Sequence, residues 1–364
     1  MTQTIKIGLI AAPELAERLA HDLARTLPDT LTSALSREAE WEVETVVDSL
    51  TGAAETAGEI ISEAAGYRQT KDWDYIISLT DLPVFHNKYI VAVDIDEDRD
   101  VSLISIPAYG WMPVLKQIQK TVLHNVQHML SADERERAVP GSRVLQRQFP
   151  ISPVRKMRAR LEETGNRHTR YIFTPQVNGT IRLLSGMTFA NNPFSMMTSL
   201  TKVIAIAFTT GSFGMIFTTM WQLSHLFSSW RLVIVTFAAI FGMVLWIIMA
   251  NDLWERPSTR SQKRIRRLYN LTTVLTLVIA VSIYYAVLFL LFLVTSLVFI
   301  PPDFLGETLS LKTSAGMVQY LRIAWFASSI STVAGAIGAG LENEALVRNT
   351  TYGYRQKHRW QQTH

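Results

Sequence analysis

A run of closely spaced carboxylates, DIDEDRD at positions 94–100, is the part of the chain best suited by residue type to bind a cation. An EF-hand calcium loop also has acidic residues at its first, third and fifth positions. Here Arg99 stands where that loop requires glycine, and Ser105 stands where it requires a bidentate glutamate. We therefore favour a solvated acidic turn between two strands, and we keep Asp94 and Asp96 as candidate ligand-binding residues.

Two histidines, His124 and His128, are four residues apart on a predicted helix. This spacing lets two imidazoles share a zinc ion. A zinc protease of this type has glutamate directly after its first histidine, but Asn125 stands there, and no third ligand is evident. The apolar stripe of the helix predicts that both histidines lie on an exposed face, so they are weak zinc candidates.

Asp81 directly follows the third predicted strand, in the loop LTDLPVFHNK. In open α/β sheets, ligands bind beyond the carboxyl ends of the strands, so this carboxylate is a candidate ligand-binding residue. Asp is also a common turn residue. The first strand is followed by IAAPELAE, without a glycine-rich phosphate loop, which argues against ordinary dinucleotide binding. No cofactor and no catalytic residue can be assigned.

The elements that must position these residues alternate between strand-like and helix-like segments over residues 1–142. The predicted strands are 4–12, 41–48, 74–80, 89–94 and 101–106, and the predicted helices are 13–40, 51–67 and 112–130. Such alternation implies crossover connections and a largely parallel sheet covered on both faces. We expect a Rossmann-like or flavodoxin-like α/β domain.

Residues 143–194 form a basic connector, with 9 Lys and Arg against 2 Asp and Glu. Within it, RYIFTPQVNGTIRLL predicts a β-hairpin that turns at Asn178 and Gly179. The basic charge could face anionic lipid, dock against the acidic first domain or line an anion path, and the first two are favoured. The candidate lipid-contacting residues here are Arg155, Lys156 and Arg158.

Four long stretches without Asp, Glu, Lys or Arg predict an all-α, four-helix transmembrane domain over residues 195–341. The predicted spans are 203–221, 232–250, 271–300 and 323–341, and residues 342–364 form a basic tail. Basic residues concentrate in the loop 251–270, including Arg264, Arg266 and Arg267, and in the tail. Positively charged loops stay in the cytoplasm, so both termini should be cytoplasmic.

The distribution of charge along the chain agrees with a location at the membrane. Residues 1–142 hold 12 Lys and Arg against 23 Asp and Glu, so the basic charge lies beside the predicted membrane helices. This distribution favours a bilayer with anionic head groups as partner, and no nucleic acid is expected. The chain has no cysteine, and its first residues do not resemble a signal peptide, which favours a cytosolic first domain.

The predicted spans contain hydroxyl groups and small residues but no Asp, Glu, Lys or Arg. Coupled transporters keep ionisable groups in mid-membrane, so secondary active transport is disfavoured. Hydroxyl groups could line a pore, but the run STVAGAIGAG at 331–340, with Gly335, Gly338 and Gly340, favours close helix packing. This pattern predicts an assembly, and a homo-oligomer is expected.

Four segments, KIGLIAAP, WDYIISLTDLP, YIVAVDID and VSLISIPAYG, come before the basic connector and the four spans. In this order the chain resembles a family of Gram-positive bacterial membrane proteins of unassigned function, some of which are labelled methylenetetrahydrofolate dehydrogenase. The resemblance implies a multi-pass protein of the bacterial cell membrane. The enzymatic label is not carried over, because no glycine-rich cofactor turn is visible.

These features predict a non-enzymatic membrane protein. A cytosolic α/β domain would sense a small molecule or a protein and would be coupled to an oligomeric membrane bundle that could act as a channel or pore. Two alternatives stay open: a membrane-anchored enzyme acting on a nucleotide, folate or lipid-linked substrate, and a membrane scaffold.

Overall fold

The computed structural model describes residues 3–35, 39–52, 56–87, 89–111, 114–133, 154–160, 166–174, 176–256, 263–339 and 354. It divides into two compact units. The first contains Met1–Ala190 and Arg355–His364, and the second contains Asn191–Tyr354.

The first unit is a mixed α/β domain. Its strands are β1 Gln3–Ala11, β2 Ala39–Val47, β3 Tyr75–Thr80, β4 Val84–His86, β5 Tyr89–Asp96, β6 Val101–Ser105, β7 Val154–Arg160 and β8 Arg167–Phe173. Its helices are α1 Leu15–Ala34, α2 Ala57–Lys71, α3 Val114–Asp133 and α4 Gln176–Ala190, with short 3-10 turns at Leu50–Gly52 and Ile106–Tyr109.

The eight strands form one sheet in the order β2-β1-β3-β6-β5-β8-β7, with β4 beside β5. The pairs among β2, β1, β3 and β6 are parallel, and those from β6 through β5 and β8 to β7 are antiparallel. The sheet is therefore mixed, where the sequence predicted a largely parallel one. The turn between β5 and β6 is too short for a crossover, so these two strands must be antiparallel.

Helices cover both faces of the parallel half. The first face carries α1 and α3, and α1 buries Ala16, Leu23 and Leu31 there. The other face carries α2, where Ile60 and Ala64 pack with Ile76 of β3. Because the crossovers from β1 to β2 and from β2 to β3 run in opposite directions along the sheet, right-handed connections place α1 and α2 on opposite faces.

The connector contains an antiparallel strand pair, but not at the predicted place. Strands β7 and β8 pair from Val154 with Phe173 to Arg160 with Arg167 and extend the sheet of the first unit. The hairpin predicted at Asn178 and Gly179 is wrong, because both residues lie in α4. Gly179 instead permits close packing, since an added Cβ would lie 3.0 Å from the Cβ of Phe173.

The second unit is helical over its described residues. The helices are α5 Pro193–Ser199, α6 Thr201–Gly214, α7 Thr218–Leu226, α8 Ser229–Ala250, α9 Lys263–Phe299, α10 Pro302–Thr308 and α11 Met317–Ala339. Two of them, α8 and α9, are long and apolar enough to cross a membrane, and the bent pair α6–α7 would add a third span.

The first predicted span, 203–221, is not one straight helix, because α6 and α7 meet at 94°. The break is held by the Trp221 indole, whose Nε1 donates to the carbonyl oxygen of Met215 at 2.9 Å. Helix α9 lies at the centre of the unit and packs against α5, α6, α8 and α11. Its inner face is filled by side chains such as Leu277, Tyr284 and Phe292, all buried.

Candidate functional site

The carboxyl ends of β1 and β3 form the topological switch of the parallel half, because the chain continues from β1 to β2 on one side and from β3 toward β6 on the other. Asp81 follows β3 at this edge and is buried. Ligands of open α/β sheets bind at such switch points. The structure thus places Asp81 at the position from which a strand-end carboxylate could contact a ligand.

Hydroxyl groups hold the loop around Asp81. The Thr80 hydroxyl donates to the carbonyl oxygen of Thr51 at 2.6 Å and accepts from the backbone N–H of Leu82 at 3.1 Å. The Ser105 hydroxyl donates to the carbonyl oxygen of Leu82 at 2.7 Å. These bonds connect the ends of β3 and β6, so the edge is a fixed surface.

Across the switch, Glu14 precedes α1 with φ of 73° and forms a capping box with Glu17. A positive φ is uncommon outside glycine, and such strain concentrates at functional sites. Glu14, Glu17 and Asp81 thus give this edge acidic groups, which suit a cationic ligand or one rich in hydrogen-bond donors.

Asp94 and Asp96 belong to a buried ionic cluster on the α2 face of β5 and β8. Asp94 accepts hydrogen bonds from Arg170 Nε at 2.8 Å and from His168 Nδ1 at 3.0 Å. Asp96 Oδ2 lies 3.5 Å from His168 Nε2 and accepts from Asn166 at 3.0 Å. We call Asp94, Asp96, His168 and Arg170 the ionic cluster.

The favoured interpretation of the acidic run as a solvated turn is wrong for its first half. Asp94 and Asp96 are only 2% and 1% exposed, because β5 continues to Asp96 and pairs with β8. The turn proper is 97–100, where Asp98 forms an exposed pair with Arg167 at 2.8 Å. Both buried carboxylates therefore already have protein partners.

His168 and Arg170 were not predicted as site residues, although their spacing in the sequence carries a signal. In the segment RHTR of β8, His168 and Arg170 are two residues apart and face Asp96 and Asp94 of β5 across the strand pair. Opposite charges on facing strand positions stabilise a pair. The cluster extends to His86, whose Nδ1 lies 2.8 Å from Arg170, and burial followed by the Arg170 charge lowers the pKa of His86.

His124 and His128 project from α3 onto the opposite face of β5 and β8, where they are not exposed. His124 is 6% exposed, and its Nε2 lies 2.8 Å from the hydroxyl of Tyr171. Burial, followed by the charges of His128 and Lys156, lowers the pKa of His124 to about 4. The His124 ring is therefore neutral at pH 7, and burial raises the pKa of its hydrogen-bond partner Tyr171 to about 12.

His128 lies beside two oppositely charged groups. Its Nε2 is 3.1 Å from Lys156 Nζ and 3.7 Å from Glu97 Oε1. Burial lowers the pKa values of both His128 and Lys156. The described residues contain no group of three or more His, Asp or Glu side chains that could hold a metal ion.

The predicted lipid-contacting residues have different environments. Arg155 and Arg158 are exposed on β7, whereas Lys156 points inward to His128. The other three predicted lipid-contacting residues belong to the second unit and lie in the first turns of α9. Arg264 and Arg267 are exposed there, and Arg266 is half-buried.

The predicted small-residue surface lies on α11. An added Cβ on Gly335 would overlap the Tyr284 hydroxyl of α9 and approach Ala207 of α6 to 3.1 Å. Of the other two residues, Gly338 is described only as part of the helical backbone, and Gly340 lies outside the described residues. The close contact at Gly335 is thus made within one chain.

A polar network connects three helices of the second unit and was not predicted. The Thr236 hydroxyl of α8 accepts from Trp325 Nε1 of α11 at 2.6 Å and lies 3.2 Å from the Tyr285 hydroxyl of α9. Tyr285 also lies 2.8 Å from the hydroxyl of Ser329. Interhelical hydrogen bonds stabilise helix association in lipid, so hydroxyl groups here serve packing.

The fold and these sites define an α/β unit followed by apolar helices that are able to span a membrane. The chain matches no protein-family model, no curated protein and no solved structure. Function is therefore inferred from geometry alone.

Proposed function

We propose that this is a membrane protein whose cytosolic α/β unit binds a small molecule or a protein without transforming it. The observation that carries the proposal is the placement of Asp81 at the switch between β1 and β3. The ionic cluster instead has a structural role, because its carboxylates are buried and bonded to His168, Arg170 and Asn166.

Hydrogen–deuterium exchange of the full chain in detergent tests this proposal. A panel of nucleotides, folates and metal ions is added, and a binder should slow exchange in peptides covering 12–17, 48–52 and 80–83. Asp81→Asn should remove the protection. Asp72→Asn is the matched control, because Asp72 precedes β3 at the opposite end of that strand. Protection elsewhere, or none with any compound, would refute a ligand site at this edge.

The membrane part is proposed to cross the bilayer four times, with α6–α7, α8, α9 and α11 as the spans and both termini in the cytoplasm. This count extends the two or three spans supported by length and apolarity. It is supported by the helix over 317–339 and by the basic residues at the start of α9.

A channel would have to form between copies of the chain. The interior around α9 is filled by apolar side chains, including Leu288 and Phe292, which are fully buried. A channel would therefore require a homo-oligomer, which is part of this proposal. Mass measurement in native detergent complexes and ion flux in proteoliposomes test it, and a monomer without flux would exclude it.

The enzymatic and scaffold alternatives make different predictions. An enzyme on a nucleotide, folate or lipid-linked substrate would release a changed product when the same panel is incubated and separated by mass spectrometry. A scaffold would retain a cytosolic protein through purification and show no response to the panel. The strand-end position of Asp81 favours a small-molecule site over the scaffold.

A further inference from the structure

Helix α4 carries apolar side chains on two opposite faces. Its inner face, with Leu183, Met187 and Ala190, is buried against the first unit. Gly186 on that face lies against the carbonyl oxygen of Pro107, so the helix is packed closely. On the outer face Val177 is 67% exposed and Ile181 63% exposed.

The outer face has no charged residue. Arg182 is the only charged residue of α4, and its guanidinium lies 5.9 Å from the centre of the Phe173 ring, toward the inner side. Soluble domains normally place charged residues on the outer face of a surface helix. An uncharged outer face indicates contact with an apolar environment.

Trp111 follows a residue that packs against one side of α4. Its neighbour Gly110 lies so close to α4 that an added Cβ would be 3.2 Å from Arg182 Cγ and 3.4 Å from Ser185 Oγ. Trp111 itself is 68% exposed. Tryptophan is enriched at membrane–water interfaces, because its ring is apolar and its N–H still needs a polar partner.

The chain leaves α4 directly into the membrane unit. Asn191, the residue after the helix, donates from Nδ2 to Thr276 Oγ1 of α9 at 3.0 Å. Thr276 lies about 8 Å along α9 from Leu271, the first residue of the charge-free stretch 271–300. Asn191, the first residue of the second unit, is thus held near the start of the apolar stretch of α9.

We propose that Trp111, Val177 and Ile181 form an interfacial surface that lies in the lipid head-group region of the bilayer. The inference rests on the proposed membrane location and adds a second lipid contact outside the spanning helices. The occupant is a lipid surface, because the face is uncharged and its helix is joined to the membrane unit by two residues.

Site-directed spin labelling tests the proposal, since the chain has no cysteine and each introduced one is unique. Full chains carrying Ile181→Cys, Val177→Cys or Trp111→Cys are labelled and reconstituted in phosphatidylcholine–phosphatidylglycerol vesicles. Collision with lipid-soluble oxygen is compared with collision with an aqueous nickel chelate. The oxygen-to-nickel ratio at the three positions should exceed that at the exposed control Glu63→Cys of α2 by severalfold.

Each other outcome refutes the inference in a distinct way. A ratio equal to that of Glu63→Cys would show contact with water. Protection from both reagents would show a protein cover, either the membrane unit or a second copy. A label at Phe237, exposed on α8, tests the membrane location separately. If Phe237→Cys shows no lipid contact, the proposed function fails together with the inference.

Discussion

At the scale of single residues, the ionic cluster allows a sharp prediction. In Asp94→Asn, Arg170 and His168 lose the carboxylate that accepts from both of them. Removing one partner of a buried ion pair costs about 3–5 kcal/mol, because the remaining charge stays buried. The urea midpoint of the first unit, measured by pulse proteolysis of the full chain, should fall accordingly.

The control is Asp100→Asn, which removes the partly exposed pair of Asp100 with Arg68 at 2.9 Å. Such surface pairs contribute about 1 kcal/mol or less. Equal losses in the two variants would show that the ionic cluster stabilises the fold no more than a surface pair does.

The buried His124 predicts acid sensitivity. Its pKa is about 4 in the folded chain and 6.5 without the fold, so between these values the unfolded state binds more protons. Stability is therefore lost as the pH falls through this window. The melting temperature should decline less between pH 7 and 4.5 in His124→Gln than in the parent chain.

The decrease in melting temperature that remains in His124→Gln should come partly from His128 and His86, whose pKa values are also lowered. Gln at 124 offers both a donor and an acceptor to the Tyr171 hydroxyl, so the fold should persist. An identical pH dependence in parent and variant would contradict the assignment of acid sensitivity to His124.

The sequence predicted these residues only in part. The carboxylates and histidines were recognisable by type, but their burial depended on which strands pair with β5. His124 was predicted to be exposed, because the hydrophobic periodicity of a single helix does not show that Tyr171 of β8 packs against it.

At the scale of elements, Gly335 should determine the fit of α11 against α9 and α6. Gly335→Ala should destabilise the membrane unit by about 1–3 kcal/mol, because the methyl group overlaps the Tyr284 hydroxyl. Thermal unfolding in detergent measures the loss. Gly242→Ala on α8 is the control, since an added Cβ there meets nothing within 4 Å.

A second substitution checks the cause. In Gly335→Ala with Tyr284→Phe, the overlapping oxygen is gone, and much of the stability should return. Among the described residues this hydroxyl has no hydrogen-bond partner, so the single Tyr284→Phe change should cost little. Additive losses in the double variant would mean that the overlap with Tyr284 is not the cause.

The element boundaries show which elements follow from the local sequence pattern and which depend on tertiary packing. Most strands and helices from β1 to α3 follow from hydrophobic alternation and periodicity, but β4 was not predicted and α2 begins at Ala57 instead of at 51. The helix α4 was missed, because Asn-Gly is a strong hairpin signal and its helical state depends on packing against Phe173 and Pro107. The bend between α6 and α7 likewise depends on Trp221 reaching Met215.

At the scale of the whole molecule, the proposed four-span arrangement predicts which loops face the cytoplasm. Lys312, exposed in the loop between α10 and α11, should be outside, and Arg264, exposed at the start of α9, should be inside. In intact cells a membrane-impermeant maleimide should label Lys312→Cys but not Arg264→Cys. Permeabilised cells should allow both to be labelled, and the reverse pattern in intact cells would overturn the topology.

The outermost strands of the sheet carry opposite charges. Strand β2 exposes Glu40 and Glu42, and β7 exposes Arg155 and Arg158. Exposed strand edges invite pairing with other chains, and charged side chains discourage it. Two copies of this chain that meet edge to edge, β2 on β2 or β7 on β7, would therefore repel each other. The arginines of β7 thus disfavour the addition of a second β7 strand to the sheet.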